Sequence, residues 1–94
     1  MSVEVTADAA HRRFVVTVDG ARAGELGYRD HDGVRTLIHT EVDPAYGGRG
    51  LGGELARAAL EATRAAGLTA DPQCPFVARW LTTHPGYEDL LTAG

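Results

Sequence analysis

Lysine is absent from this chain; all nine basic residues are arginine. Any self-modification of an amine is therefore confined to the N-terminal amino group. Cys74 is the only cysteine, which excludes an internal disulfide and fits a reducing compartment. Aromatic residues make up 6% of the chain, so a core must lean on valine, leucine and alanine. No apolar run approaches the roughly 18 residues of a membrane span. The opening Met1-Ser2-Val3-Glu4-Val5 lacks the basic-then-apolar pattern of a secretory leader. An excess of positive charge is missing too. The formal net charge is −4, whereas a general nucleic-acid or anionic-membrane surface needs a basic face. His11, His31 and His84 show no metal-ligand spacing and no second cysteine lies near them, so no metal is expected. The expectation is a cytoplasmic protein without nucleic-acid or membrane partners, in which any anion site is local.

The chain has 94 residues, a length that suits one domain spanning 1–94 with a single core. Its first half reads as strands. Residues 3–8 alternate, and residues 13–18, 23–29 and 34–42 follow, with turn signals at Asp19-Gly20 and Asp32-Gly33. The texture then changes. Leu51, Leu55, Ala59 and Ala62 recur at helical spacing, with Glu54, Arg57, Glu61 and Arg64 on the opposite face. Gly67 is a stop signal, residues 68–71 make a short fifth strand, and Pro75 suits the first turn of a second helix over 75–83. Phe76, Trp80 and Leu81 on that helix read as core, and Tyr87 to Leu91 as a last helical turn. Strand, helix and strand in this order imply a right-handed crossover between parallel strands. The fold class is α+β: one mostly antiparallel sheet with a parallel unit of fourth strand, helix and fifth strand.

The informative stretch joins these halves. Val42-Asp43-Pro44 leads into a loop and helix start with five glycines between residues 47 and 53 and one arginine, Arg49. Such a loop presents backbone N–H groups and a positive helix end to an anion, and residues without Cβ let a phosphate approach the backbone. A dinucleotide fingerprint is formally present in Gly48, Gly50 and Gly53, with Asp71 about 20 residues further on. It is rejected because Asp43 to Tyr46 separate strand from glycines and only one crossover exists. A P-loop fails because its lysine is missing.

The loop resembles that of the GNAT acetyltransferases, whose motif is R/Q-x-x-G-x-G/A after a strand ending in V-x-P. Gly48 to Gly52 match its glycine part, and Gly47 stands where the motif has Arg or Gln, which leaves the backbone cradle intact. The resemblance extends to the minimal, GNAT-like subfamily through His39-Thr40-Glu41-Val42, Pro72-Gln73-Cys74-Pro75-Phe76-Val77 and Pro85-Gly86-Tyr87-Glu88-Asp89-Leu90. It implies a GNAT-like fold, with the fourth and fifth strands splayed to hold coenzyme A.

The resemblance further implies an N-acetyltransferase with acetyl-CoA as co-substrate and an amine acceptor, a protein or peptide amine being one candidate. Val42, Gly47, Gly48, Arg49, Gly50, Leu51 and Gly52 would bind the cofactor. Cys74, His39 and Glu41 are the candidate catalytic residues. Strand alternation puts Leu37, His39 and Glu41 on one face and Ile38, Thr40 and Val42 on the other. An amine must be neutral to attack, and His39 or Glu41 is the candidate base; histidine titrates in the right range, glutamate only when shifted upward. Cys74 just before a helix is placed as a nucleophile would be, since a helix N-terminus favours negative sulfur, or as a lining of the thioester pocket during direct attack, which is the preferred route. Tyr87 resembles a tyrosine that protonates the departing thiolate in longer relatives, although its setting favours packing. Only Ala9 to Arg12 separate the first two strands, so the acceptor side should be open and suit a bulky acceptor. A monomer or weak homodimer is expected. The alternative is a CoA-binding sensor or interaction module without turnover.

Overall fold

A computed structural model describes residues 2–91. Two tight turns fold the first half back on itself. Asp19 and Gly20 have φ of 50° and 84°, and Asp32 and Gly33 of 50° and 78°, the doubly left-handed backbone that matches the twist of flanking strands. The turns separate β2 (Arg13–Val18), β3 (Ala21–His31) and β4 (Val34–Val42); β1 (Val3–Asp8) pairs with β2. Chain order is sheet order, β1 to β5, and every pairing is antiparallel except that of β4 with β5 (Thr69–Pro72). Between these two strands runs α1 (Leu51–Ala65), and α2 (Pro75–Thr82) follows β5. The expected α+β architecture and its parallel unit are therefore present.

Boundaries differ in small ways. β3 extends beyond the expected 23–29 because its glycines are internal close-approach points. A Cβ on Gly24 would lie 2.5 Å from the Glu41 carbonyl oxygen, and one on Gly27 would lie 2.9 Å from the His39 ring. At the end of α1, Gly67 has φ of 73°; its N–H donates to Arg64 O and that of Leu68 donates to Thr63 O, a left-handed cap that satisfies the last carbonyls. The final segment is one 3-10 turn, Glu88–Leu90, and Leu91 then bridges to Ala70.

Both helices lie on one face of the sheet. Val16, Leu26 and Leu37 from the strands and Leu55, Leu60 and Val77 from the helices are wholly buried there. The opposite face carries Asp8, Arg13, Val15, Glu25, His39 and Glu41, as the registers of neighbouring strands require, and among the described residues no helix covers it.

One expectation is overturned here. The β3–β4 register runs Gly27 to His39 and then Tyr28 to Leu37, so Ile38 is an extra, unpaired residue. This bulge shifts the alternation by one place. Leu37 turns into the core while His39 and Glu41 stand on the open face, and Thr40, opposite buried Leu26, and Val42 share the side of Leu37.

Arg35 bridges this face to the rim. It lies 4.4 Å from the Tyr28 ring centroid and donates to both Asp30 oxygens at 2.8 and 3.0 Å. Hydrogen bonding from Arg35 holds the Asp30 carboxyl below its ordinary value. A carboxyl lowered in the folded state stabilises at pH values above its unfolded value, near 4, and that contribution is lost as pH falls through the folded value. Asp30→Asn is expected to cost up to about 1 kcal/mol at pH 7, the range of a partly exposed pair. Urea midpoints should show the gap closing as pH is lowered below 4; a gap unchanged at acid pH would exclude this pair as its source.

Candidate active site

β4 and β5 pair only from Val34 to Leu37 and from Thr69 to Pro72. The last tie is the Cys74 N–H, which donates to Leu37 O at 2.8 Å. Beyond it β4 runs on beside β3 alone. Asp43 N–H donates to Ala23 O on β3, so by alternation the backbone polar groups of Thr40 and Val42 face away from β3 into the opening. There a cleft of about 320 Å³ is lined by Thr40, Val42, Tyr46, Gly48, Leu51, Gly52 and Phe76 among others.

The glycine loop forms the far wall. Asp43 caps a 3-10 turn, Pro44–Tyr46, by accepting from Ala45 N–H. Gly48 and Gly50 then adopt φ of 79° and 73°, a left-handed conformation that side chains disfavour. Gly47, with φ of −61°, needs no glycine on this ground. Gly50 is the N-cap of α1 and carries no capping side chain, and the first α1 hydrogen bond runs from Glu54 N–H to Gly50 O. The N–H groups of Leu51, Gly52 and Gly53 thus have no helical partner, and they stand at the positive end of a 15-residue helix. Close packing explains Gly52 and Gly53: a Cβ on each would meet Phe76 at 2.6 Å and Trp80 Nε1 at 3.0 Å. Arg49 lies over Tyr46, with its guanidinium carbon 5.4 Å from the ring centroid.

The three candidate catalytic residues are not brought together. Cys74, the N-cap of α2, is 2% exposed and lies on the helix side. Its sulfur is 3.4 Å from Thr40 Oγ1. His39 is on the open face, half-exposed, with its Nε2 3.8 Å from Glu25. Glu25 also pairs with Arg22 and with Arg13, and Arg13 donates to Asp8. Hydrogen bonds from His11 and then Arg13 lower the Asp8 carboxyl. Glu41 lies directly across from Glu25. A second, open concavity of about 710 Å³ on β3 and β4 is lined by Arg22, Glu25, Glu41 and Asp43 and shares Thr40 and Val42 with the cleft.

Sequence reasoning missed Thr40, Tyr46 and Phe76. Phe76 is not core as expected: it is 39% exposed and lies over Gly52 in the cleft wall. Trp80 and Leu81 pack half-buried against the core. Tyr87 is buried near Trp80, with ring centroids 5.8 Å apart, under Arg64. A bulge could not be read from alternation, but the spacing from Gly52 to an aromatic at 76 carries no signal at all. Among the described residues no three His, Cys, Asp or Glu side chains converge as metal ligands do.

A mixed sheet whose one parallel pair parts beside a glycine-capped helix N-terminus is the fold of the GNAT acetyltransferases. The chain belongs to the GCN5-related N-acetyltransferase family, whose sequence profile matches residues 13–90. It is 32% identical over 85 residues to Protein NATD1 of Gallus gallus, covering 88% of this chain and 77% of that protein. The Homo sapiens NATD1 is likewise 32% identical, covering 88% and 75%. The solution structure of a GCN5-like N-acetyltransferase candidate from Staphylococcus aureus superposes with a TM-score of 0.72 at 25% identity, over 97% of this chain and 89% of that one. The ribosomal-protein-S18-alanine N-acetyltransferase of Escherichia coli shares the fold at a TM-score of 0.58 and 24% identity, over 68% and 41%.

Gly50 has open space where a Cβ would be, so Gly50→Ala tests backbone strain alone. It is expected to cost about 1–2 kcal/mol. Gly47→Ala, at an ordinary φ, should cost less. Equal losses in chemical denaturation would show that left-handed backbone does not explain these glycines.

Proposed function

We propose that the protein is an acetyl-CoA-dependent N-acetyltransferase that works by direct attack of an amine. One observation carries the reading: the N–H groups of Leu51 to Gly53, which have no helical partner, open onto the same cleft that runs along β4 past Val42 to Thr40. These N–H groups and those of the Gly47–Gly50 loop would hold the pyrophosphate at the helix dipole, with Arg49 beside them. The backbone groups of Thr40 and Val42 would take the place of a missing strand for the amide-bearing pantetheine arm. Acetyl-CoA supplies an activated acetyl thioester, which this path would bring to the parting of β4 and β5 beside Thr40, whose hydroxyl meets the buried Cys74 sulfur.

The acceptor would approach from the open face. His39 would take the ammonium proton there, with Glu25 available to stabilise the imidazolium. Glu41 and Asp43 add negative charge that favours a cationic amine. His39 and Cys74 on opposite faces of β4 disfavour a scheme in which His39 deprotonates Cys74 for acyl transfer, and this supports direct attack. A sheet face that no helix covers among the described residues suits a bulky acceptor such as a protein or peptide amine.

Acetyl-CoA at about 100 times its Kd is expected to add about 2.7 kcal/mol of stability. Coenzyme A release with a panel of amines should show turnover. His39→Ala should lower kcat by about 10²-fold or more while leaving acetyl-CoA binding intact. No stabilisation by acetyl-CoA would refute the proposal, and stabilisation without turnover on any amine would leave a CoA-binding module. A hydroxylamine-sensitive acetyl adduct, seen by intact mass and lost in Cys74→Ala, would replace direct attack with a Cys74 intermediate.

A further inference from the structure

We infer that Thr40 is the positioning residue of the Cys74 thiol, turned toward it by the bulge at Ile38. The inference rests on the reading that the thioester end of the cleft lies at Thr40, against which the Cys74 thiol packs.

Two contacts fix Cys74 to β4. Its N–H donates to Leu37 O at 2.8 Å, and its sulfur lies 3.4 Å from Thr40 Oγ1. The anchors are three residues apart. In an unbroken strand with the Leu37 side chain in the core, residue 40 would point to the open face, away from Cys74 on the helix side. The extra residue Ile38 restores them to a common side. The same shift sends His39 to the other face, where its ring packs over Gly27. The bulge therefore selects which polar side chain meets the thiol.

Threonine suits the task. Among the described residues the Thr40 hydroxyl and the Cys74 sulfur are each other's side-chain hydrogen-bond partners. The thiol is otherwise buried, so a single partner decides its rotamer and the direction of its lone pairs. A β-branched side chain on a strand is itself stiff about χ1, which transmits the strand's rigidity to the hydroxyl. Thr40 also lines both the cleft and the open concavity, so it stands where the two cavities meet.

The test compares Thr40→Val, which keeps shape and loses the hydroxyl, with Thr40→Ser, which keeps the hydroxyl. Because the protein has one cysteine, the infrared S–H band reports this thiol alone. Thr40→Val should move the band toward that of a free thiol and lower kcat by about tenfold, the scale of one hydrogen bond, with KM for acetyl-CoA within about twofold. Thr40→Ser should restore both. A band that does not move in Thr40→Val, or one that moves while kcat is unchanged, overturns the inference. Equal kcat losses in the valine and serine variants overturn it as well, since packing would then be the cause. The unmodified protein is run alongside: failure of acetyl-CoA to stabilise it would refute the cleft reading itself, a result separable from failure of the Thr40 variants.

Discussion

The parting of β4 from β5 is the constraint from which the rest of the site follows. Four residue pairs hold the strands together, and then β5 ends at Pro72, a residue that cannot donate to a ladder. Cys74 makes one more bond to Leu37 and the chain turns into α2. β4 continues, and its free edge is a row of backbone donors and acceptors with no strand to meet. Buried or half-buried edges of this kind need a partner. An extended, amide-bearing ligand could supply one, and this supports the proposed placement of a pantetheine arm in the cleft.

At the other end of the cleft the demand is opposite in character. There the free groups are donors only, gathered at the start of α1 and backed by its dipole. The overall charge of the chain is negative, so the attraction must be built from backbone rather than from a basic surface. Two glycines provide the left-handed turns that aim the loop, and two more make room for the rings of α2. The glycine run thus does two different jobs, and substitutions within it are not equivalent.

Much of this was legible in the sequence, for reasons that are local. Asp-Gly pairs dictate tight turns, apolar spacing dictates α1, and Gly67 dictates its end; each depends on a few neighbouring residues. The glycine loop was legible because backbone recognition leaves a compositional trace. The faces of β4 were not. Alternation is a rule about uninterrupted strands, and the bulge at Ile38 depends on how β3 presents Gly27 and Tyr28 across the ladder. Phe76 was misread for a related reason: helical spacing marks it as apolar-facing, but Gly52 leaves that ring a shelf in the cleft instead of a place in the core.

The bulge has a consequence for how the two halves of a transfer reaction meet. The proposed donor-side groups, Thr40 and Cys74, face the helices, and the proposed acceptor-side groups, His39 and Glu41, stand on the open face of the sheet. A continuous sheet would wall these off from each other, because a paired strand leaves no passage between faces. The opening beyond Leu37 and Pro72 is where that wall stops, and it coincides with the residue whose insertion assigns the side chains to their faces. Loss of sheet pairing and change of alternation at one point therefore serve a single geometry. An activated acyl group can lie on one side and a neutral amine can be prepared on the other, with the reacting atoms meeting in the gap. On the proposed reading, helices over the acceptor face would shape a small acceptor but are not needed for the chemistry.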